Sequence, residues 1–307
     1  KAVADMVSSL AAQLSALRPT ASQAAQSDAG GLKQRPSLLF SPSEAADLDA
    51  EAIHSIGLSG LAELEKHDPS LHKYEKLLFS HSAADFRRDS QSFEVLKSLN
   101  QSIRGLLKAL SPYFLLRPSL KVLEFLIRNY SVQEHNVDDL LMCTLPYHST
   151  PQFVRLVHLI EPKGRWLFLN GVKKTGAPLS RTVLAACCAA DRAVLTFICD
   201  LAKESNAPRV TLGLFVGTCV ELLTTTRKVP EEMSQAIFPV LLEGLRSSNA
   251  NDLQASAYMV LASLVKKVTL APEVLKTVLE IIPKYANREA PLPSLLLLVA
   301  VCHYQRP

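Results

Sequence analysis

Residues 237–264, IFPVLLEGLRSSNANDLQASAYMVLASL, decide the predicted fold of this chain. Apolar residues recur there at the spacing of a helix face, namely Ile237, Val240, Leu241 and Leu245, then Leu253, Ala257, Val260, Leu261 and Leu264. The polar run at 247–252 predicts a turn between two antiparallel helices. Neither helix can bury its apolar stripe alone, so each needs a neighbour on both sides, as in a stacked helical repeat. The alternative is an ordinary helical hairpin inside a globular all-α domain.

Similar helical patterns flank this pair, which favours the repeat. Successive helices are predicted at 179–189, 191–204, 209–226, 231–245, 252–268, 273–285 and 294–303. Pro230 and Pro272 lie at helix starts and are 42 positions apart. That spacing agrees with the period of about 40–47 residues in HEAT and armadillo repeats. The sequence therefore predicts an all-α fold, a right-handed α-solenoid of HEAT/armadillo-like helical repeats.

The predicted domain organisation has three parts. Residues 1–5 precede Met6 and are interpreted as a cloning remnant, and residues 6–36 as an N-terminal helix with a mobile linker. Residues 37–307 form the predicted solenoid. Its last helix, 294–303, is apolar all round, whereas a terminal solenoid helix keeps a polar outer face. We therefore expect a further repeat to cover it, so that the array is truncated at its C-terminal end.

Composition and motifs give no sign of catalysis. The net charge of +4 is only mildly basic, and the six cysteines include no CxxC pair, which predicts buried thiols in a reducing compartment. The sequence contains no phosphate-binding glycine loop, HExxH or GxSxG, and no apolar run near the roughly 20 residues of a membrane span. A metal cluster of Cys143, His135 and His148 is a minor alternative, because no second pair has ligand spacing. We predict a non-enzyme without cofactor or metal.

Pairs of basic residues are scattered along the chain. They are Arg87-Arg88, Lys163 with Arg165, Lys173-Lys174, Arg227-Lys228 and Lys266-Lys267. The favoured interpretation is solvated helix ends, where cations suit the negative end of the helix dipole. The alternative is a discontinuous stripe that meets RNA phosphates. Aromatic residues do not alternate with these pairs along the sequence, as a base-stacking surface would require.

Two stretches place aromatic residues beside helix-start prolines. They read SPYFLLRP at 111–118 and LPYHSTPQFVR at 145–155. Packing between repeat layers is the favoured role of their rings, and anchoring of a partner protein is the alternative. The candidate partner-binding residues are the anchors Tyr113, Phe114 and Tyr147, with Arg117 and Lys121 as charges at the rim.

A set of stretches carries a family resemblance. They lie at 6–17, 37–40 (SLLF) with 44–46 (EAA), 56–61 (IGLSGL), 110–118, 145–150 with 153–155 (FVR), and 165–166 (RW). In this order they resemble the N-terminal region of the large HEAT-repeat subunit family of the small-subunit processome, which is associated with U3 small nucleolar RNA. The resemblance runs from residue 6 to residue 198. Beyond that point the chain shares only the generic repeat character.

The resemblance implies a nucleolar scaffold without catalysis. The family belongs to a subcomplex with WD-repeat proteins, which associates early with pre-rRNA and supports its transcription and the processing of 18S rRNA. It implies that this region docks a WD-repeat partner, and that other parts of the full-length protein contact pre-rRNA or the snoRNP particle. The rival classes are a solenoid that binds RNA directly and a transport-type solenoid that binds cargo. No membrane or small-molecule substrate is expected.

Overall fold

The computed structural model describes residues 36–80, 83, 86–247, 251–287 and 291–305. Within these ranges the regular elements are α-helices and short 3-10 turns, and no strand occurs there. The predicted all-α fold is therefore confirmed. The cloning remnant, the N-terminal helix and the linker up to residue 35 lie outside the described residues, as does the middle of the predicted turn, 248–250.

The helices form two regions that differ in regularity. The N-terminal region contains α1 Pro42–Asp47, α2 Ala50–Glu65, α3 Lys73–Leu78, α4 Phe93–Leu110, α5 Arg117–Tyr130, α6 Val132–His135, α7 Val137–Thr144, α8 Pro151–Leu159 and α9 Leu169–Thr175. It is interrupted by 3-10 turns at Pro69–His72, Arg88–Ser90, Ser111–Tyr113, Leu145–Tyr147 and Gly164–Trp166. The C-terminal region contains α10 Arg181–Ala190, α11 Arg192–Lys203, α12 Arg209–Thr225, α13 Glu231–Arg246, α14 Asn251–Leu264, α15 Pro272–Lys284 and α16 Leu292–Tyr304.

The C-terminal region is a stack of two layers. Helices α10, α12, α14 and α16 pack one upon the next in one layer, and α11, α13 and α15 do so in the other. Contact between every second helix is expected of a helical repeat, because each pair buries its apolar stripes against the pairs before and after it. The chain is therefore an α-solenoid. The right-handed sense of its superhelix stays a prediction.

The pair that decides the fold is α13 and α14. The side chains predicted to face inward are fully buried, namely Val240, Leu241, Val260 and Leu261. The two helices approach closely at Gly244, where an added Cβ atom would lie 2.7 Å from the Cβ atom of Ala257. Each buried Leu or Val stabilises the fold by roughly 1.5–3 kcal/mol. The apolar pattern therefore predicted both the helices and their contact.

Successive repeats also cap one another's helix ends. Beyond the end of α14, the Gln305 side chain donates to the carbonyl oxygens of Val265 (2.7 Å) and Val268 (2.9 Å). Beyond the end of α12, the Lys267 ammonium lies 3.4 Å from the Thr226 carbonyl oxygen. The last carbonyls of a helix lack partners within that helix, so both contacts satisfy groups that would otherwise need water. Each repeat thus completes the repeat before it.

In the N-terminal region, a buried carboxylate fixes the first described residues. Glu124 on α5 is fully buried. It accepts hydrogen bonds from the Ser37 hydroxyl (2.8 Å) and from the main-chain N–H groups of Leu38 (2.7 Å) and Leu39 (3.1 Å). Arg128, one turn later, faces the carboxylate at 3.9 Å. A buried charge is tolerated only with partners of this kind, so this clamp ties SLLF to α5.

The apolar residues of α4 are covered only towards the end of the helix. Its buried apolar residues are Ile103, Leu106, Leu107 and Leu110. Phe93, by contrast, is 80% exposed, and Leu96 and Leu99 are only partly buried. The contacts of α4 with α3 and α7 therefore leave its first turns open to solvent.

The last helix, α16, buries one side only. Leu297 and Val301 are buried against the stack, whereas Leu292, Leu295 and Leu296 are exposed. Coverage of this face by a further repeat stays a prediction. In the described part of the chain, no single helix is both long and apolar enough to cross a membrane, and the bent pair α10–α11 passes that test by length and composition only.

Candidate partner-docking surface

The turn between α4 and α5 is shaped by two prolines. Pro112 opens the 3-10 turn Ser111–Tyr113, and Pro118 lies in the first turn of α5. The main-chain N–H of Leu116 donates to the carbonyl of Tyr113 at 2.9 Å. Since proline has a fixed φ and no N–H, α4 cannot continue through this segment. The chain leaves α4 in a tight bend and re-enters a helix at Arg117.

The second aromatic stretch braces this bend from behind. The Tyr147 hydroxyl donates to the Ser111 carbonyl at 2.7 Å, and the Ser111 hydroxyl donates to the Cys143 carbonyl at 3.1 Å. The rings of Phe114 and Tyr147 pack with their centroids 5.1 Å apart. The two stretches singled out in the sequence therefore meet, and the bend is held by both hydrogen bonds and ring packing.

The structure separates the five candidate partner-binding residues. Phe114 is fully buried and Tyr147 is half-buried, so the structure gives both rings the packing role. Tyr113 is half-buried and Arg117 is exposed, so both can be reached from solvent. Lys121 pairs with a carboxylate on α2, with its ammonium 2.5 Å from Glu63. Partner binding by these residues stays a prediction.

Two residues that sequence reasoning missed lie in the same bend. Leu115 is 45% exposed and Leu116 is 43% exposed, although both are large and apolar. Together with Pro112, Tyr113 and Arg117 they form what we call the 112–117 surface. In the sequence, only their position between two prolines indicates this exposure. A bend has no helical periodicity from which the inward-facing side chains can be predicted.

His148 joins the two regions of the fold. Its Nδ1 lies 2.6 Å from the Leu179 carbonyl oxygen, and the Leu179 N–H donates to the His148 carbonyl at 3.0 Å. Burial lowers the pKa of His148 and raises that of the buried Cys143 thiol. In the part of the chain that the structure describes, the ligand atoms of Cys143, His135 and His148 do not all come within 4.8 Å of one another, and His148 Nδ1 already has a carbonyl partner. The geometry therefore gives no support to the metal cluster of Cys143, His135 and His148.

One exposed cluster of charged side chains was not foreseen. His72 Nδ1 lies 3.4 Å from the Glu65 carboxylate and 3.3 Å from the Glu75 carboxylate. The turn after α2 brings Glu65 beside α3, and this places both carboxylates next to His72. The three side chains can be accounted for as a surface ion-pair cluster, which typically adds little stability.

The cysteines are mostly core residues. All six are free thiols, and Cys143, Cys188, Cys199 and Cys219 are buried. Cys187 is partly buried. Cys302 is exposed on α16, so the prediction of a buried thiol was wrong there, because its side of the helix points away from α14 and α15.

Some of the basic pairs are part of the fold rather than solvated. The Arg88 guanidinium donates to the Tyr130 carbonyl (2.7 Å) and to Asn136 (2.8 Å), and so ties the Arg88–Ser90 turn to α5 and α7. Arg165 pairs with Asp138 at 2.6 Å. For Arg88 and Arg165 the interpretation as solvated helix ends was therefore wrong.

Known proteins match the chain along most of its length. The family described as U3 small nucleolar RNA-associated protein 10 matches residues 233–307. HEAT repeat-containing protein 1 of Homo sapiens is 37% identical over 280 residues, which cover 83% of this chain and 13% of that protein. The Drosophila melanogaster homolog is 32% identical over 307 residues, covering 96% and 14%. U3 small nucleolar RNA-associated protein 10 of Schizosaccharomyces pombe is 27% identical over 273 residues, covering 86% and 17%.

These matches extend the resemblance seen in the sequence. The family match falls on α13 to α16, where the sequence had shown only generic repeat character. The chain spans between about an eighth and a sixth of the length of these relatives. The sequence identities of 32–37% along most of the chain and the helical repeat in the structure both agree with membership of this family. The chain belongs to the family of U3 small nucleolar RNA-associated protein 10 and HEAT repeat-containing protein 1.

Proposed function

We propose that this chain is a non-catalytic scaffold in ribosome biogenesis, that it acts in the nucleolus within the small-subunit processome, and that it docks a WD-repeat partner. In this role it supports pre-rRNA transcription and 18S rRNA processing by holding proteins in place. The names of the relatives support the setting, since several are U3 small nucleolar RNA-associated proteins. The α-solenoid supports the scaffold role, because stacked repeats present extended binding surfaces.

The observation that carries the docking proposal is the pair Leu115 and Leu116, nearly half exposed on a braced bend. Large apolar side chains held rigidly at a surface can be buried by a partner at little entropic cost. Tyr113 flanks them and adds an amphipathic ring of the kind enriched at interface hot spots. Phe114 and Tyr147 act indirectly in this proposal, by holding the bend.

The charges around the bend indicate the chemistry of the partner segment. Arg117 is exposed and, among the described residues, has no carboxylate within 4.0 Å. Lys121 is already paired with Glu63. We therefore expect a WD-repeat protein to present an apolar side chain to Leu115 and Leu116, and a carboxylate to Arg117. A bidentate carboxylate–guanidinium pair would fix the orientation of the segment.

The experiment is a pull-down of processome WD-repeat proteins by the 307-residue chain, followed by titration of the partner that is captured. The double variant L115A/L116A should bind about 30-fold more weakly, which corresponds to about 2 kcal/mol for a pair of buried anchors. Arg117→Ala should weaken binding less, and chiefly at low salt.

The matched control is L77A/L167A, which removes two leucines that are at least as exposed, at 57% and 58%, but lie outside the 112–117 surface. It should bind like the unmodified chain. Equal losses in the two double variants would show that any exposed leucine contributes, and would contradict a specific site. Failure of the unmodified chain to capture a WD-repeat protein would overturn the docking role itself.

A further inference from the structure

Four cations recur in register on successive repeats of the C-terminal region. Lys266 and Lys267 each lie 39 positions after Arg227 and Lys228, respectively. The first pair follows the end of α12 and the second follows the end of α14, and these helices are neighbours in the same layer. The two pairs therefore occupy equivalent positions, one above the other, along one edge of the solenoid. We call these four residues the basic ladder.

Contacts across the repeats show that the two pairs are adjacent in space. The Lys267 ammonium lies 3.5 Å from the Thr224 carbonyl oxygen and 3.4 Å from that of Thr226, directly before Arg227 and Lys228. Neighbouring packed helices are typically 8–10 Å apart. The four cations thus form a compact group on a single edge.

The four cations of the basic ladder are exposed and have no acidic partners among the described residues. In the part of the chain that the structure describes, no carboxylate oxygen lies within 4.0 Å of their nitrogens, whereas Arg165 and Lys163 are both in ion pairs. Like charges held together repel, so a group of this kind is most stable when an anion neutralises it.

An aromatic ring adjoins the ladder. The Lys266 ammonium lies 5.6 Å from the centroid of the Tyr304 ring, at the end of the next helix in the layer. Tyr304 is 46% exposed, so part of its ring can be reached by a ligand, and the His303 ring packs against it with the centroids 4.7 Å apart. The sequence had shown no aromatic residues alternating with the basic pairs, because Tyr304 is brought there by the stacking of α14 and α16. Cations beside an accessible ring are the elements that bind single-stranded nucleic acid.

We propose that the basic ladder binds the phosphate backbone of single-stranded RNA, with Tyr304 as a stacking platform for a base. Each cation meets a phosphate and releases a counterion, which makes binding salt-dependent and independent of base sequence. An acidic peptide offers carboxylates, but it gains little from the accessible ring. The basic ladder lies just beyond the ends of α12 and α14, and the 112–117 surface lies between α4 and α5, so the two sites can fail separately.

The test is fluorescence anisotropy with a labelled oligouridylate, using the 307-residue chain and the variant R227Q/K228Q/K266Q/K267Q. Four phosphate contacts predict a slope of about −3 for log affinity against log salt, or about a 50-fold loss between about 50 and about 200 mM salt. The variant should bind at least about 10-fold more weakly at the lower salt and lose most of that slope. Tyr304→Ala should weaken binding about 5- to 150-fold with the slope unchanged.

The matched control is K66Q/K76Q/K174Q/R192Q. It also replaces three lysines and one arginine, but at exposed positions outside the basic ladder. It should bind almost like the unmodified chain. Equal losses in both quadruple variants would show that only net charge matters, and would overturn the site. Binding of a polyglutamate peptide of matched length as tightly as the RNA would also overturn it, in favour of an acidic protein partner.

Both quadruple variants should still capture the WD-repeat partner, since they leave the 112–117 surface intact. If the ladder variant loses RNA binding but still captures the partner, the result supports the basic ladder. If the unmodified chain captures no WD-repeat protein, the docking proposal fails, and the RNA titrations still test the ladder.

Discussion

The N-terminal and C-terminal regions are both helical, but they are held together in different ways. In the C-terminal region, helices of 10–17 residues pack in two layers, and apolar stripes provide the contacts between them. In the N-terminal region several helices span fewer than ten residues, 3-10 turns separate them, and buried polar side chains bridge distant segments. Periodicity accounts for the first arrangement, and specific hydrogen bonds account for the second.

This difference has a consequence for function. Where repeats are regular, each residue type recurs at a fixed position, so a column of equivalent side chains such as the basic ladder can arise. Where the chain is irregular, a bend such as 112–117 can hold apolar side chains outward without continuing as a helix. The regular region is therefore suited to an extended polymeric ligand, and the irregular region to a discrete partner segment.

The largest effect on stability is expected from the buried carboxylate of the N-terminal region. Glu124→Ala should cost about 3–5 kcal/mol, because it removes the carboxylate that faces the Arg128 guanidinium and that accepts from the N–H groups of Leu38 and Leu39. Denaturant titration measures the loss, and hydrogen exchange should show faster exchange at both amides. A change below about 1 kcal/mol would mean that polar clamps do not hold this region.

In the C-terminal region the comparable change is a cavity. Leu261 is fully buried between α14 and its neighbours, so Leu261→Ala should cost about 2–5 kcal/mol. The free energy of unfolding from urea titration measures this. A value below about 0.5 kcal/mol would be typical of an exposed site and would contradict the assigned register.

A smaller effect is expected where the two aromatic stretches meet. Tyr147→Phe keeps the ring beside Phe114 but removes the hydroxyl that donates to the Ser111 carbonyl, so it should cost about 1 kcal/mol. Partner binding should be weakened only slightly. A loss as large as that of L115A/L116A, without a change in stability, would instead make Tyr147 a direct contact.

The smallest effect on stability is expected at the exposed side of α16. Leu296→Glu should change the free energy of unfolding by less than about 0.5 kcal/mol, because the side chain is already in water. It should nevertheless reduce self-association, since exposed apolar patches seek partners. Light scattering over a range of concentrations measures this, with Leu77→Glu as the control on another helix. Equal association of both variants and the unmodified chain would rule out this face as the cause.

The difference between the two regions also explains which parts of the fold could be predicted from the sequence. The repeat in the C-terminal region could be predicted because an apolar face at helical spacing requires stacking, as residues 237–264 show. The contact of Glu124 with Ser37 could not, because nothing in a local pattern relates two residues so far apart along the chain. Membership in the family could be recognised, although the family match itself falls in a stretch that looked generic.

For the candidate site, the sequence indicated a segment but not which of its side chains face solvent, and partner binding there stays a prediction. Tyr113 and Arg117 are accessible, but Phe114 is buried and Leu115 and Leu116 are exposed in its place. Hydrophobicity alone favours the aromatic ring as an anchor. Which residue faces solvent is decided by the bend between two prolines and by the hydrogen bond from Tyr147, and neither is visible in a periodic pattern.

The caps at the ends of α12 and α14 also give the solenoid a direction under mechanical load. When tension is applied at the C-terminal end, Gln305 is pulled away first, and the carbonyls of Val265 and Val268 lose their donors. The repeat that contains Lys267 is then weakened, and its release exposes the Thr226 carbonyl in turn. If the first repeat of the stack unfolded instead, the helix ends of the next repeat would keep their caps, because the donors come from the repeat that follows. Single-molecule stretching should therefore show the C-terminal region unfolding one repeat at a time, starting with the repeat that carries Gln305.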